Sequence, residues 1–319
     1  MLLLRAGSIS SERLRSVIAE PRTEPFWLAV DSNDEVQHAT LSDVFRFHPL
    51  AIEDTLNPRT RVKLEEYDGY FFIVLRGMRL DPERPLEPGK LDVKRLCLFL
   101  GPNYLVSVHA GASPNVEEAM RRIESDPALL ASCEPAKAAY FISDAVIDAY
   151  FPVLDEVDDY VDELERSQPS SAARGLERSL QVRRLAFAAR RSLLPQREIF
   201  DVLAHRPSPL LSPGVQLYFR DVYDHVQRIS DTLEAYRELI SDTTDSYVAR
   251  SSMRLGYTTA ILSAIATVLI PFLIISGIYG MNFSYLPLAH SHSGFWIILG
   301  LQVVLSCVLL ALLRWRHLV

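Results

Sequence analysis

"YTTAILSAIATVLIPFLIISGIYGMNF", residues 257–283, holds no charged side chain and closes on Gly-Met-Asn. From Tyr257 to Gly280 it offers 24 uncharged, mostly apolar residues. As a helix that run is about 36 Å long at roughly 1.5 Å per residue, enough to cross a hydrocarbon core about 30 Å thick. A second apolar run, Gly294–Leu313, adds 20 residues. Two such runs flanked by arginine favour a membrane hairpin over a buried hairpin in a soluble core.

Arg250 and Arg254 precede the first run, and Arg314 and Arg316 follow the second. The segment between the runs has no Lys or Arg. The positive-inside rule then puts both termini in the cytoplasm and the short loop outside. Pro271 lies inside the first run, where it frees a backbone carbonyl and favours a kink.

The 319 residues carry a net charge of -7. All 40 acidic residues precede Tyr257, and of the 33 basic residues only Arg314 and Arg316 lie beyond it. The leading part is therefore more acidic than the whole. That balance argues against nucleic acid as a partner and suits a surface that attracts cations. Cys97, Cys133 and Cys307 show no metal-like spacing and read as reduced, in keeping with a cytosolic soluble part. The opening "MLLLRAGSISSERLRS" has too short an apolar core for a signal peptide.

Ahead of the membrane run lies a long helical pattern. Val215, Phe219, Val222, Val226, Ile229, Leu233, Tyr236, Ile240, Thr243 and Tyr247 follow steps of four and three, a heptad seam. Pro213 and Gly214 mark its start, and no proline follows before Pro271. The simplest expectation is one helix from about Val215 to Gly280, whose narrow seam faces a symmetry axis. Continuing the same steps into the membrane gives a candidate pore-lining face: Gly256, Thr259, Leu262, Ser263, Ala266, Ile270, Leu273 and Gly277. It is small or apolar, with no carboxylate, so such a tube gates by dewetting.

Towards the N-terminus, "EPFWLAVDS", "YFFIVLRGM", "RLCLFLG" and "YLVSVHA" read as strands, and "GPNY" as the turn joining the last two into a hairpin. The first 135 or so residues read as a mixed α/β domain. From Ala138 the chain turns helical. "LDEVDDYVDELERS" is acidic, and "RGLERSLQVRRLAFAARRSLLPQRE" is basic. Opposite charge on consecutive helices predicts an antiparallel hairpin. No phosphate-cradling glycine loop, catalytic triad or metal-ligand cluster stands out, so the sequence asks for neither an enzyme nor an organic cofactor.

These stretches together resemble the CorA family of divalent-cation channels. "YGMNF" closes the first of two terminal runs, and "HPLAIEDTLNPRTRVKLEEYDGYFFIVLR", His48 to Arg76, looks like that family's cytosolic signature. "YFRDVYDHVQRISDTLEAYRELI", Tyr218 to Ile240, looks like the start of its stalk helix. The resemblance implies an α+β membrane protein, a funnel-shaped homopentamer in the inner membrane. Its expected parts are a cytosolic α/β domain (1–137), a helical hairpin region (138–212) and a stalk helix (213–256). A pore-lining span (257–280), an external loop (281–293), a second span (294–313) and a basic tail (314–319) follow.

The resemblance also implies that Gly280, Met281 and Asn282 form the selectivity filter, with Asn282 accepting hydrogen bonds from the waters of Mg²⁺, which dehydrates reluctantly. It implies a regulatory Mg²⁺ held between subunits by Asp81 and Asp221. Mg²⁺ is then both substrate and regulator, with Co²⁺ and Ni²⁺ as further passengers.

Three features depart from the family pattern. Gly256 stands where an Asn is common, and Leu273 where a Thr is common. The loop reads "LPLAHSHS", without the usual acidic residue. Its His290 and His292 supply metal-ligand side chains and give Zn²⁺ as the alternative cargo. The lost polar groups give a non-conducting cation sensor as a second alternative.

Overall fold

The structure, a computed structural model, describes residues 1–6, 15, 24–79, 92–166, 172–281, 287–288, 291 and 293–315. The chain divides into two compact units, Met1–Thr243 and Thr244–Val319.

The first unit is built on a six-stranded sheet of order β1-β2-β6-β5-β4-β3. Its strands are β1 (Leu2–Arg5), β2 (Phe26–Asp31), β3 (Lys63–Tyr67), β4 (Tyr70–Arg79), β5 (Asp92–Leu100) and β6 (Tyr104–His109). β1, β2 and β6 run parallel, while β5, β4 and β3 follow antiparallel. The expected β5–β6 hairpin is present, closed by the Gly101 N–H donating to the Tyr104 carbonyl at 2.9 Å. β1 and β3 escaped the sequence reading. β1 is a four-residue run, and the alternation in "KLEEY" is blurred by adjacent glutamates.

Both faces of the sheet are buried, which is why its central strands read as continuous apolar runs. Phe26, Leu28, Phe72, Val74, Phe99 and Val106 face a core closed by Leu41 of α1 (Glu35–Asp43) and Ala51 of α2 (Pro49–Leu56). The alternate residues, among them Trp27, Ile73 and Leu98, are as deeply buried on the other face. There the sheet meets α5 (Pro135–Asp148) and α7 (Ala172–His205), and α3 (Pro114–Glu124) packs on α5 beside the short α4 (Pro127–Ser132). Buried polar groups pin α7 to the sheet. Gln196 donates to the Arg76 carbonyl at 3.1 Å and accepts from the Arg76 N–H at 3.3 Å, and the Tyr150 hydroxyl donates to the same carbonyl at 3.0 Å.

α6 (Phe151–Arg166) and α7 form the expected antiparallel hairpin. Arg178 pairs with Glu163 at 2.6 Å near its turn, while Tyr150 bonds Ser192 at 2.9 Å at its other end.

The next helix, α8, runs unbroken from Pro213 to Tyr279, 67 residues. From Phe219 to Ile240 its heptad seam is covered by the chain's own unit and so does not face an axis there. Phe219, Val222, Val226, Ile229, Leu233 and Ile240 are each at most 1% exposed within the single chain. The seam is the helix's docking face on its own unit, where each such side chain contributes about 1.5–3 kcal/mol of burial. A narrow apolar stripe is equally good at packing on a neighbouring helix of the same chain or of another, so period alone did not separate the two. The opposite face is exposed and mostly acidic: Asp221, Asp224, Asp231, Glu238 and Asp242, interrupted by Arg220 and Arg228.

In the second unit, α8 from Thr244 onward accompanies α9 (Gly294–Trp315). α8 and α9 are the two helices long and apolar enough to cross a membrane among the described residues. Gln302 and Ser306 of α9 are buried, and Gln302 donates to the Phe272 carbonyl of α8 at 3.5 Å. A polar side chain between two apolar helices is the expected glue where hydrocarbon offers no alternative partner.

Candidate functional site

The residues singled out for ion handling fall in two places. The first is the end of α8 in the second unit. Thr259, Leu262, Ser263, Ile270, Leu273 and Gly277 are exposed, as is Gly256, and Ala266 is half-buried. Leu262 and Leu273 are 66% and 70% exposed, whereas Ala264 is buried. Ile261, Ile265, Leu269, Ile274 and Ile278, off the candidate pore face, are exposed as well, so most of this stretch of α8 is uncovered in the single chain.

Helix α8 stops where the Gly280 N–H bonds the Ser276 carbonyl at 2.9 Å and the Met281 N–H reaches the Ile278 carbonyl at 3.3 Å. Positive φ among the described glycines occurs at Gly69 and Gly111, so Gly280 is not needed for a left-handed turn. A Cβ there would sit 3.2 Å from the Ser276 carbonyl oxygen, a tight fit that a shift of a few tenths of an ångström relieves. The Tyr279 hydroxyl donates to the Pro287 carbonyl at 3.0 Å, tying the helix end to the loop. Asn282, His290 and His292 lie outside the described residues.

The far side of the loop has its own constraint. Leu288 adopts φ 66°, and a Cβ on Gly294 would overlap the Leu288 carbonyl oxygen. Only glycine lets α9 start this close to the preceding turn. Gly294→Ala is expected to destabilise the loop by about 1–3 kcal/mol, in the range of other overpacking changes. Gly300, on the same helix with open space at its Cβ, is the control. Heating the two purified variants and following the folded fraction checks this: Gly300→Ala should melt with the parent and Gly294→Ala well below it.

The second place lies in the first unit, between α5 and α8. Asp144, Asp148 and His225 bring their ligand atoms within 4.8 Å of one another. Asp221, one turn before His225 on α8, lies 3.9 Å from the His225 Nε2. The sequence held a signal for this cluster that its reading missed. Asp144 and Asp148 are four apart on one helix, and Asp221 and His225 four apart on another, so each pair shares a face. Only the packing of α5 on α8, through the Tyr140–Tyr218 rings at 5.0 Å, brings the pairs together. Asp81, the expected partner of Asp221, lies outside the described residues.

The electrostatics suit a cation. Arg122 donates to Asp144 at 2.7 Å and neutralises one carboxylate. Asp148 keeps a pKa above the ordinary carboxylate value, raised first by burial and then by the neighbouring Asp144. Burial, with Asp144 and Asp221 nearby, pushes the Tyr140 hydroxyl up to about 12. The His225 Nδ1 is buried without a hydrogen-bond partner among the described residues. Carboxylate oxygens from two helices suit a hard divalent cation, while the imidazole adds affinity for Co²⁺ or Ni²⁺.

Comparison with protein families matches residues 23–315 to the family described as CorA-like Mg²⁺ transporter protein. The protein YfjQ of Bacillus subtilis is 30% identical over 310 residues, covering 96% of this chain and 94% of that protein. The cobalt/magnesium transport protein CorA of Thermotoga maritima is 30% identical over 291 residues, covering 89% of this chain and 81% of its own length. The complete CorA magnesium transporter structure from Methanocaldococcus jannaschii superposes with a TM-score of 0.75 at 20% identity, over 90% of this chain and 89% of that one. With the family matched over nearly its whole length, and the sheet, long helix and two apolar helices in the family's order, the chain belongs to the CorA-like Mg²⁺ transporter family.

Proposed function

We propose that the chain is the subunit of a homopentameric inner-membrane channel that admits Mg²⁺, and with it Co²⁺ and Ni²⁺, into the cytoplasm. The observation that carries this reading is the face of α8 from Gly256 to Gly277. It is uncharged, small or apolar, and leads directly to Gly280-Met281. Five copies of that face around an axis enclose a tube, and the neutral Asn282 ring at its outer end binds a hydrated ion weakly enough to release it. An inside-negative potential draws cations inward by about 2.3 kcal/mol per charge per 100 mV. Zn²⁺ is not preferred, since Gly-Met-Asn is retained and suits a hydrated hard cation.

Ion flux into liposomes holding the purified protein, run across Mg²⁺, Co²⁺, Ni²⁺ and Zn²⁺, tests the proposal. Uptake of Mg²⁺ above empty liposomes is expected. No flux of any ion would favour the non-conducting sensor, and flux of Zn²⁺ alone would reassign the cargo.

Leu273 narrows and dries the tube on this reading. Leu273→Thr is therefore expected to raise Mg²⁺ flux severalfold at equal expression, measured in the same liposomes. Unchanged flux would take Leu273 off the axis.

Regulation belongs to the cytosolic cluster. Mg²⁺ bound by Asp221 with Asp81 of a neighbouring subunit, and a second cation at Asp144, Asp148 and His225, would relieve the repulsion along the acidic face of α8. Bound cations then favour packed, closed stalks, and their loss frees the subunits to move.

A further inference from the structure

We propose that the groove between α7 and α8 in the first unit binds a nucleoside triphosphate. The groove encloses about 500 Å³, within the size range of small-molecule sites. Four arginines line it, Arg183, Arg184 and Arg190 from α7 and Arg237 from α8. Glu234 holds two of them in place, with Arg190 at 3.0 Å and Arg237 at 2.6 Å. Arg183 and Arg184 are exposed and have no carboxylate partner among the described residues. Four guanidinium groups against one carboxylate make an anion site, and their planar forks match phosphate oxygens in pairs.

The apolar half of the groove narrows the choice of anion. Phe187 is 63% exposed at its rim, and Leu180 is exposed one heptad before it. Inorganic phosphate would leave both in water, whereas a nucleotide places its phosphates on the arginines and its base on the Phe187 ring. The rival occupant is the acidic α6 of a second copy. Its apolar residues Val153, Leu154, Val157, Tyr160 and Val161 are all buried in their own unit, so it offers charge but nothing to cover Phe187. A nucleotide supplies both chemistries.

The test uses the full-length protein in detergent with Mg²⁺ in excess, so that nucleotide cannot act by stripping Mg²⁺. Calorimetric titrations with ATP, tripolyphosphate and adenosine are compared for the parent, Arg183→Ala/Arg184→Ala and Phe187→Ala. ATP and tripolyphosphate should bind the parent, and adenosine should not. The double arginine variant should weaken both anions by about tenfold or more. Phe187→Ala should weaken ATP severalfold and leave tripolyphosphate unchanged. No ATP binding at millimolar concentration, or ATP binding unaffected by either variant, would overturn the site. So would a change in oligomer size caused by the variants without nucleotide, because the groove would then be an interface between copies.

Discussion

Asn282→Ala yields a folded oligomer that no longer takes up Mg²⁺, or does so at least tenfold more slowly. Asn282 follows Met281 in the chain, and on the proposed reading five copies of it would offer a ring of amide carbonyls to an arriving ion. Mg²⁺ holds its first water shell tightly, so a filter works best by accepting hydrogen bonds from that shell. Removing the carbonyl removes those acceptors and leaves a ring of methyl groups that rejects a hydrated cation. The helix end carries backbone contacts from Gly280 and Met281 to Ser276 and Ile278, which the substitution leaves in place. Uptake by a transport-deficient cell, with gel filtration of the purified variant, checks both halves. Normal uptake would remove Asn282 from the filter.

Asp148→Asn and His225→Ala, with Asp221→Ala beside them, are expected to keep transport but raise the internal Mg²⁺ needed to shut it off, by about tenfold or more. Asp148→Asn and His225→Ala each remove a ligand from the cluster, where Arg122 offsets one of the carboxylates, and Asp221→Ala removes one from the neighbouring site. The coupling is reciprocal, so whatever favours the open channel must also weaken the cation here. Protection of the purified protein by Mg²⁺ against proteolysis should fall in parallel.

A pH dependence follows from Asp148. Its folded pKa lies above the ordinary 3.8, because burial and Asp144 disfavour the charged form. Between 3.8 and the raised value the folded state holds a proton that the unfolded chain has lost. Without a cation, then, Asp148 favours folding as pH falls through that window and costs stability above it. A divalent cation must displace the proton, so cation protection should weaken as pH drops through a value higher than for an unperturbed aspartate. Asp148→Asn should remove that inflection while leaving the rest of the pH profile. A profile identical to the parent's, with unchanged shut-off, would make these four residues ordinary acidic surface.

Much of the architecture was legible along the chain because it rests on local physics. Two uncharged runs of spanning length have few other uses in water, so α9 and the end of α8 followed from composition and length. The central strands announced themselves as apolar runs between turn residues, and the "GPNY" hairpin closed as its chemistry demands. The opposite charges of α6 and α7 met where the antiparallel hairpin puts them, at Glu163 and Arg178. Short or blurred strands were lost, since four residues carry too little periodicity to outweigh their neighbours.

What the tertiary structure alone decided was which surface meets which. The heptad of α8 set an apolar stripe, but only packing showed that Phe219, Val226 and Leu233 face their own unit and that the acidic face looks out. The Asp144–Asp148–His225 cluster spans a separation of 81 residues, from Asp144 to His225, and no local pattern can encode such an approach. Gly294 opens the second apolar run, and only the fold places the Leu288 carbonyl in the space its missing Cβ would fill. Propensity, length and charge act between near neighbours and can be read in order. Facing surfaces depend on how long-range burial is shared among all elements at once, and that is settled only when the chain packs.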